Sequence, residues 1–153
     1  MNPNIIISIS AKLMIPFILL FGLYVQFHGD FGPGGGFQAG VIVAVSFILY
    51  GIVYGIERLE KIAPFNYLRV FTSLGVLIYG GTGLLTQILG GRFLEYNLLA
   101  HDPVHGQHYG ILLIELGVGT TVASVMIMIF MLFGLQISYK KEHKDNKENE
   151  DIS

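Results

Sequence analysis

Four long apolar runs dominate this sequence and restrict the folds that are open to it. They occupy roughly residues 5–27, 37–56, 70–89 and 109–135. The second and third runs carry no charge, whereas Lys12 and Pro16 interrupt the first and Glu115 interrupts the fourth. A helix needs about 20 apolar residues, at a rise of 1.5 Å each, to cross a bilayer. We therefore predict an all-α integral membrane protein with four transmembrane helices.

The composition agrees with a membrane protein and excludes several other classes. Only 13% of the 153 residues are charged, whereas a soluble domain carries about 25%. The absence of cysteine excludes disulfides, thiol catalysis and thiolate metal sites. A net charge of −2 leaves no basic patch for nucleic acid. This length leaves room for a single folded domain.

The charged residues are concentrated at the C-terminal end. Residues 138–153 alternate Lys with Glu, Asp and Asn and have little apolar content. Such a composition buries too little apolar surface to fold. We predict a four-helix membrane domain over residues 1–137 and a disordered, charged cytoplasmic tail over residues 138–153.

The positive charges predict how the chain is oriented. With four spans, the N-terminus, the middle loop and the tail share one side of the membrane. Eight of the nine Lys and Arg residues lie on that side: Lys12, Arg58, Lys61, Arg69, Lys140, Lys141, Lys144 and Lys147. Only Arg92 lies on the other side. Since positive residues favour the cytoplasmic side, we expect a multi-pass protein of the cell (inner) membrane with both termini in the cytoplasm.

A glycine-rich hairpin joins the first two spans. Residues 28–40 read HGDFGPGGGFQAG. Glycine and proline cost about 1 and 3 kcal/mol in a helix interior, so this run predicts a tight turn between two helices. Glycine also lets another backbone or an ion approach closely. The predicted structural residues of the hairpin are Pro33, Gly34, Gly35, Gly36, Phe37 and Gly40.

Small residues at four-residue spacing mark the faces on which the spans pack. In lipid, such residues let helix backbones touch. Gly36, Gly40 and Ala44 form one such ridge in the second span. In the fourth span Gly117 precedes Thr121 by four residues, as Gly119 does Ala123. Two alternatives explain this pattern: packing against partner subunits, and packing between the helices of this chain.

Two segments resemble the MnhB/MrpB family, the B subunits of multisubunit Na+/H+ antiporters of the Mrp type. The hairpin is similar to the family's glycine hairpin, most clearly over residues 33–37 and at Gly40. Residues 114–118, IELGV, look like its acidic-x-Gly-Val segment, where the family more often has Asp than Glu. The length, the number of spans and the expected orientation also resemble those of the family, so the resemblance covers roughly residues 5–135.

The resemblance implies an accessory membrane subunit of a cation/proton antiporter rather than an enzyme. Its partners would be the other antiporter subunits and the lipid bilayer, and the complex would transport Na+ and H+. The subunit would pack against larger subunits and help to line the cation path, and no cofactor is expected. Two alternatives stay open: the homologous subunit of an ion-translocating membrane-bound hydrogenase or related redox complex, and a purely structural assembly subunit.

Lys12 and Glu115 are the ionisable residues within the apolar runs. A charge at the bilayer centre costs about 2.5–3.5 kcal/mol, so intramembrane charges tend to face protein or water. Lys12 is near enough to one end of its span to extend its ammonium to the membrane surface. Glu115 is a candidate H+ or Na+ site, or a charged contact with a neighbouring subunit. The two residues are expected towards opposite faces of the membrane.

His28 and Asp30 lie at the outer end of the first span, beside the glycines. A carboxylate and freed backbone carbonyls there would supply oxygen ligands at an access point for a cation or proton. Alternatively, Asp30 accepts hydrogen bonds from N–H groups of the turn, as short acidic side chains commonly do.

A histidine-containing string, HDPVHGQH, occupies residues 101–108. We expect Pro103 and Gly106 to break any helix that would align its imidazoles. No acidic group is placed as in helical zinc motifs, so we predict a solvated loop and no metal site.

Overall fold

The computed structural model describes residues 3–29, 34–100 and 102–150. Five α-helices and one 3₁₀ helix make up its secondary structure over these residues. The α-helices are α1 (Pro3–His28), α2 (Gly36–Tyr54), α3 (Ile56–Ile62), α4 (Phe65–Ile88) and α5 (Pro103–Glu150). The 3₁₀ helix comprises Tyr96–Leu98.

Four of these helices are long and apolar enough to cross a membrane: Ile5–His28, Gly36–Tyr54, Phe65–Ile88 and Pro103–Ile137. Large apolar side chains cover much of their outer surface; Leu20 and Leu77, for example, are each 68% exposed. Such a surface is suited to lipid or to other membrane helices. The predicted all-α fold with four potential spans is confirmed.

The helix boundaries differ from the predicted ones at two prolines. The third spanning helix begins at Phe65, directly after Pro64, rather than near residue 70. The fourth begins at Pro103 rather than near residue 109. Proline is favoured in the first turn of a helix, because its missing N–H would have no partner there. Pro103 and Gly106 therefore do not break the helix, and that prediction was wrong.

Helix α5 is the centre of the arrangement. It packs along α2 on one side and along α4 on the other, whereas α1 packs mainly along α2. Because α2 and α4 barely touch each other, the spanning helices follow the order α1, α2, α5, α4 around an open cleft. We call the end of the bundle at which the chain passes from α1 to α2 the hairpin end. The opposite end, where α3 lies, is the α3 end.

Small residues determine how closely α5 approaches its neighbours. A Cβ atom on Gly40 would lie 2.6 Å from the carbonyl oxygen of Gly119 on α5. A Cβ atom on Gly75 of α4 would lie 2.6 Å from the carbonyl oxygen of Gly117 and would overlap Thr121. The predicted small-residue faces therefore pack inside this chain.

At the α3 end, the chain closes over a small apolar core. Gly55 ends α2 with a φ of 95°, a left-handed conformation that glycine adopts readily. The turn directs α3 back so that Leu59 is fully buried in a cluster with Ala63, Leu68, Ile127 and Met131. Sequence analysis did not predict α3, which has only seven residues.

Helix α5 continues to Glu150 and so includes most of the segment predicted to be a disordered tail. Lys and Glu are good helix formers, and extending an existing helix requires no new nucleation. The domain boundary at residue 137 and the solvation of the segment beyond it stay predictions.

Candidate functional site

Glu115 is the residue around which the hairpin end is built. It lies on α5 against the end of α1 and the start of α2. A Cβ atom on Gly29 would overlap both carboxylate oxygens of Glu115, and one on Gly36 would overlap the Glu115 carbonyl oxygen. At Gly35, a Cβ atom would lie 3.3 Å from Oε1. The glycines thus let the hairpin backbone lie directly on this carboxylate.

Backbone conformation also requires glycine here. Gly35 has φ 155° and ψ 176°, a combination that is essentially restricted to glycine. It precedes α2, and its carbonyl oxygen accepts a hydrogen bond from the N–H of Ala39 at 3.0 Å. Gly35 is therefore the N-cap of α2 and starts that helix beside Glu115.

Glu115 lies well inside its helix rather than at the end. The apolar part of α5, Pro103–Ile137, has 35 residues, about 52 Å at the α-helical rise and longer than the ~30 Å hydrocarbon core. Glu115 is 22 residues (137 − 115) from Ile137, or about 33 Å at the same rise. With the Ile137 end at one membrane surface, the carboxylate therefore lies near the opposite edge of the hydrocarbon core.

Gln26 and Gly119 extend the site by one helical turn towards the α3 end. A Cβ atom on Gly119 would overlap the amide oxygen of Gln26, which reaches across from α1. Gly119 is four residues after Glu115, so both lie on one face of α5. Sequence analysis did not identify Gln26 as a site residue, although a glutamine inside an apolar run was an available signal.

The other predicted hairpin residues frame the carboxylate without all touching it. Gly40 is buried against α5, whereas Phe37 is 63% exposed and does not anchor the hairpin internally. A Cβ atom on Gly34 would lie 3.1 Å from a methyl group of Val25. Asp30 and Pro33 lie outside the described residues.

His28 and Lys12 occupy different places relative to Glu115. His28 is exposed at the end of α1, and its ring stacks on Tyr24 with 5.0 Å between centroids. Lys12 is exposed on α1, 17 residues (29 − 12) before Gly29, or about 25 Å at the α-helical rise. The structure therefore does not bring Lys12 and Glu115 together.

The histidine string does not assemble a metal centre within the described residues. Asp102 accepts a hydrogen bond from the N–H of Val104 at 3.2 Å, and its other oxygen lies 3.4 Å from Nδ1 of His105. The described residues contain no group of three or more metal-ligating side chains. His101 lies outside them. Asp102 thus serves the start of α5.

The described fold and site define a multi-pass membrane protein in which glycines of the α1–α2 hairpin pack against one half-buried carboxylate. The family model described as "Domain related to MnhB subunit of Na+/H+ antiporter" matches residues 6–128. The chain therefore belongs to the MnhB family, and the resemblance seen in the sequence is confirmed.

Individual relatives agree with this assignment. A candidate antiporter subunit, mnhB2, of Staphylococcus aureus strain Newman is 30% identical over 131 residues, which cover 84% of this chain and 92% of that protein. The mnhB2 proteins of strains JH1 and COL are similar to the same extent.

Proposed function

We propose that this chain is an accessory subunit of a multisubunit Na+/H+ antiporter in the cell membrane, with both termini in the cytoplasm. Membership of the MnhB family supports the antiporter assignment. The distribution of Lys and Arg supports the orientation. The partners are larger membrane subunits, and the complex exchanges Na+ for H+.

Within that complex, the Glu115 carboxylate is the ion-responsive group that this subunit contributes to the cation path. The observation that carries this role is the contact of the carboxylate with the glycine backbone at Gly29 and Gly35. Carboxylate and backbone carbonyl oxygens are the ligands that hard cations prefer, and a carboxylate also binds a proton. Ionisable residues within spanning helices are rare and commonly mark ion pathways.

The chain acts as part of an assembly and not as a carrier alone. Secondary transporters bind their ions near the midplane between structural repeats, commonly with broken helices. Among the described residues of the spanning helices, Glu115 is the one carboxylate at the hairpin end, and the long spanning helices are continuous at mid-depth. Expressed alone in antiporter-deficient cells, it is expected to leave Na+ sensitivity unchanged; restored Na+ resistance would contradict the accessory role.

A growth experiment with the whole complex tests the role of Glu115. Antiporter-deficient cells express all subunits with wild-type chain, Glu115→Gln or Glu115→Asp. We expect Gln to abolish Na+ resistance and Asp to retain part of it, with equal amounts of complex in the membrane. Full resistance with Gln would instead identify a purely structural subunit. Asp30→Asn, tested in parallel, decides whether the hairpin contributes a second carboxylate.

A further inference from the structure

A cleft of about 580 Å³ lies along α5, between α2 and α4. Its floor is formed by α5 residues with small or short side chains, among them Thr120, Ala123 and Ser124. Gln26 lines the cleft towards the hairpin end, and Lys61 lines it at the α3 end. Most of the remaining lining is aliphatic or aromatic, so the cleft is largely apolar.

Ser124 distinguishes this cleft from an ordinary gap between helices. Its side chain is only 5% exposed, yet its hydroxyl makes no hydrogen bond with the described residues. The other buried hydroxyls, on Ser46, Thr82 and Thr86, each donate to a carbonyl oxygen of their own helix. Ser124 is therefore a buried polar group whose hydroxyl, as oriented here, has no partner among the described residues.

Two further polar groups in the cleft also lack internal partners. The Gln26 side-chain amide makes no hydrogen bond, and the Lys61 ammonium makes no ion pair, with any described residue. No acidic residue lines the cleft. An occupant with hydrogen-bonding groups at the depth of Ser124 and Gln26, and with negative charge near the exposed Lys61, would complement the cleft.

We propose that one face of a transmembrane helix of a neighbouring subunit packs into the cleft. That helix carries a hydrogen-bonding side chain facing Ser124 and Gln26, and an acidic residue facing Lys61. The small floor residues let its backbone come close, and Ser and Gln side chains commonly hydrogen-bond across membrane helices. An acyl chain would fill the apolar space but leave Ser124 and Gln26 unpaired in hydrocarbon, at a cost of several kcal/mol per group.

This inference rests on the proposed function only in requiring other membrane subunits. It does not require Glu115 to act on ions. We therefore expect Glu115→Gln to leave the occupancy of the cleft unchanged, whatever its effect on antiport, so that the two proposals can fail separately.

Site-specific photocrosslinking in native membranes tests the proposal. In the complete complex, Tyr67 and Phe71, both on the cleft wall, are replaced in turn by p-benzoylphenylalanine, which is similar in shape. The exposed Phe21 on α1, which does not line the cleft, is the matched control. We expect both cleft positions to crosslink to the same transmembrane segment of one subunit, identified by peptide mass spectrometry, and the control to miss that segment.

Substitutions of Ser124 provide the second readout. Ser124→Ala should lower the crosslinking yield about two- to fivefold, in keeping with one interhelical hydrogen bond. Ser124→Leu, which adds bulk to the floor, should lower it further. The Ala variant keeps the test valid if the Leu variant fails to accumulate. Adducts with lipid only, adducts with unrelated segments, or a yield that does not respond to Ser124→Ala would overturn the proposal.

Thiol labelling tests whether the cleft holds water instead. Because the chain has no cysteine, Ala123→Cys and the exposed Glu60→Cys each give this subunit a single thiol, whose labelling is followed on this subunit within the complex. We expect a membrane-impermeant thiol reagent to modify position 123 at least tenfold more slowly than position 60. Equal rates would show that the cleft is an aqueous path and would overturn the proposal.

Discussion

The carboxylate of Glu115 lies against the backbone of Gly29 so closely that a Cβ atom on Gly29 would overlap both carboxylate oxygens. The two residues are 86 positions (115 − 29) apart in the chain. Their contact joins the end of α1 to the N-terminal third of α5. Position 29 must therefore be glycine as long as position 115 carries the glutamate side chain.

That dependence predicts a specific rescue. Gly29→Ala should displace the carboxylate and lower antiport at least tenfold, since the neighbour in the way is the group that we propose to act on ions. In the double variant Gly29→Ala/Glu115→Asp, the shorter aspartate side chain makes room for the added methyl group and should restore part of the activity. The measurement is Na+-driven proton movement in everted vesicles containing equal amounts of complex.

The control for this pair is Gly80→Ala, because nothing lies within 4 Å of a Cβ atom there. It should leave antiport unchanged. Additive losses in the double variant would show that Gly29 and Glu115 act independently.

The contact between α4 and α5 predicts intolerance at Gly75. A methyl group there would overlap the Thr121 hydroxyl and press on the Gly117 carbonyl oxygen. Gly75→Ala should therefore force the helices apart and destabilise the subunit by about 1–3 kcal/mol, as overpacking does. Thermal unfolding of the purified subunit in detergent measures the change; a midpoint equal to that of wild type would argue against the packed α4–α5 contact.

The short helix α3 is expected to contribute to stability through one side chain. Leu59 is fully buried, whereas Ile52 on α2 is 67% exposed. Leu59→Ala should cost about 2–5 kcal/mol, because it removes buried contacts and leaves a cavity. Ile52→Ala, its control, should have little effect on unfolding in detergent. Similar losses for both variants would mean that α3 does not cover a packed core.

A polar contact secures α1 to α2 at the α3 end. The Tyr54 hydroxyl donates to the carbonyl oxygen of Ser8 at 3.0 Å and lies 3.3 Å from the Ser8 hydroxyl. Tyr54→Phe removes these bonds and should cost about 0.6 kcal/mol, the usual size for side-chain bonds between membrane helices. The same unfolding experiment detects this loss, and a Tyr54→Phe protein as stable as wild type would show that packing alone holds α1.

Much of the fold could be predicted because bilayer thickness fixes the length of an apolar run. The same criterion could not identify α3, because its seven residues are too few to show a helical periodicity of apolar side chains. The start of α5 was placed too late because the apolar run begins only near residue 109. Pro103 was separately taken as a helix breaker, although proline is favoured in the first helical turn.

The candidate site was only partly predictable from sequence. Glu115 stood out as a charge in an apolar run, and the glycines stood out by composition. Nothing local links Gly29 to Glu115, since their contact depends on how α5 packs against α2. Ser124 was likewise hidden, because serine is common in membrane helices and only the structure reveals that its hydroxyl lacks an internal partner.

The proposal that Glu115 acts on ions is tested most directly by the rate of Na+-driven proton movement in everted vesicles across a pH series. Wild type is compared with Glu115→Gln at equal content of fully assembled complex. We expect Gln to lower the rate at least tenfold at every pH of the series, because an amide neither binds a proton nor carries a charge there. A Gln variant with the wild-type rate and pH profile would contradict it and leave this subunit a structural role.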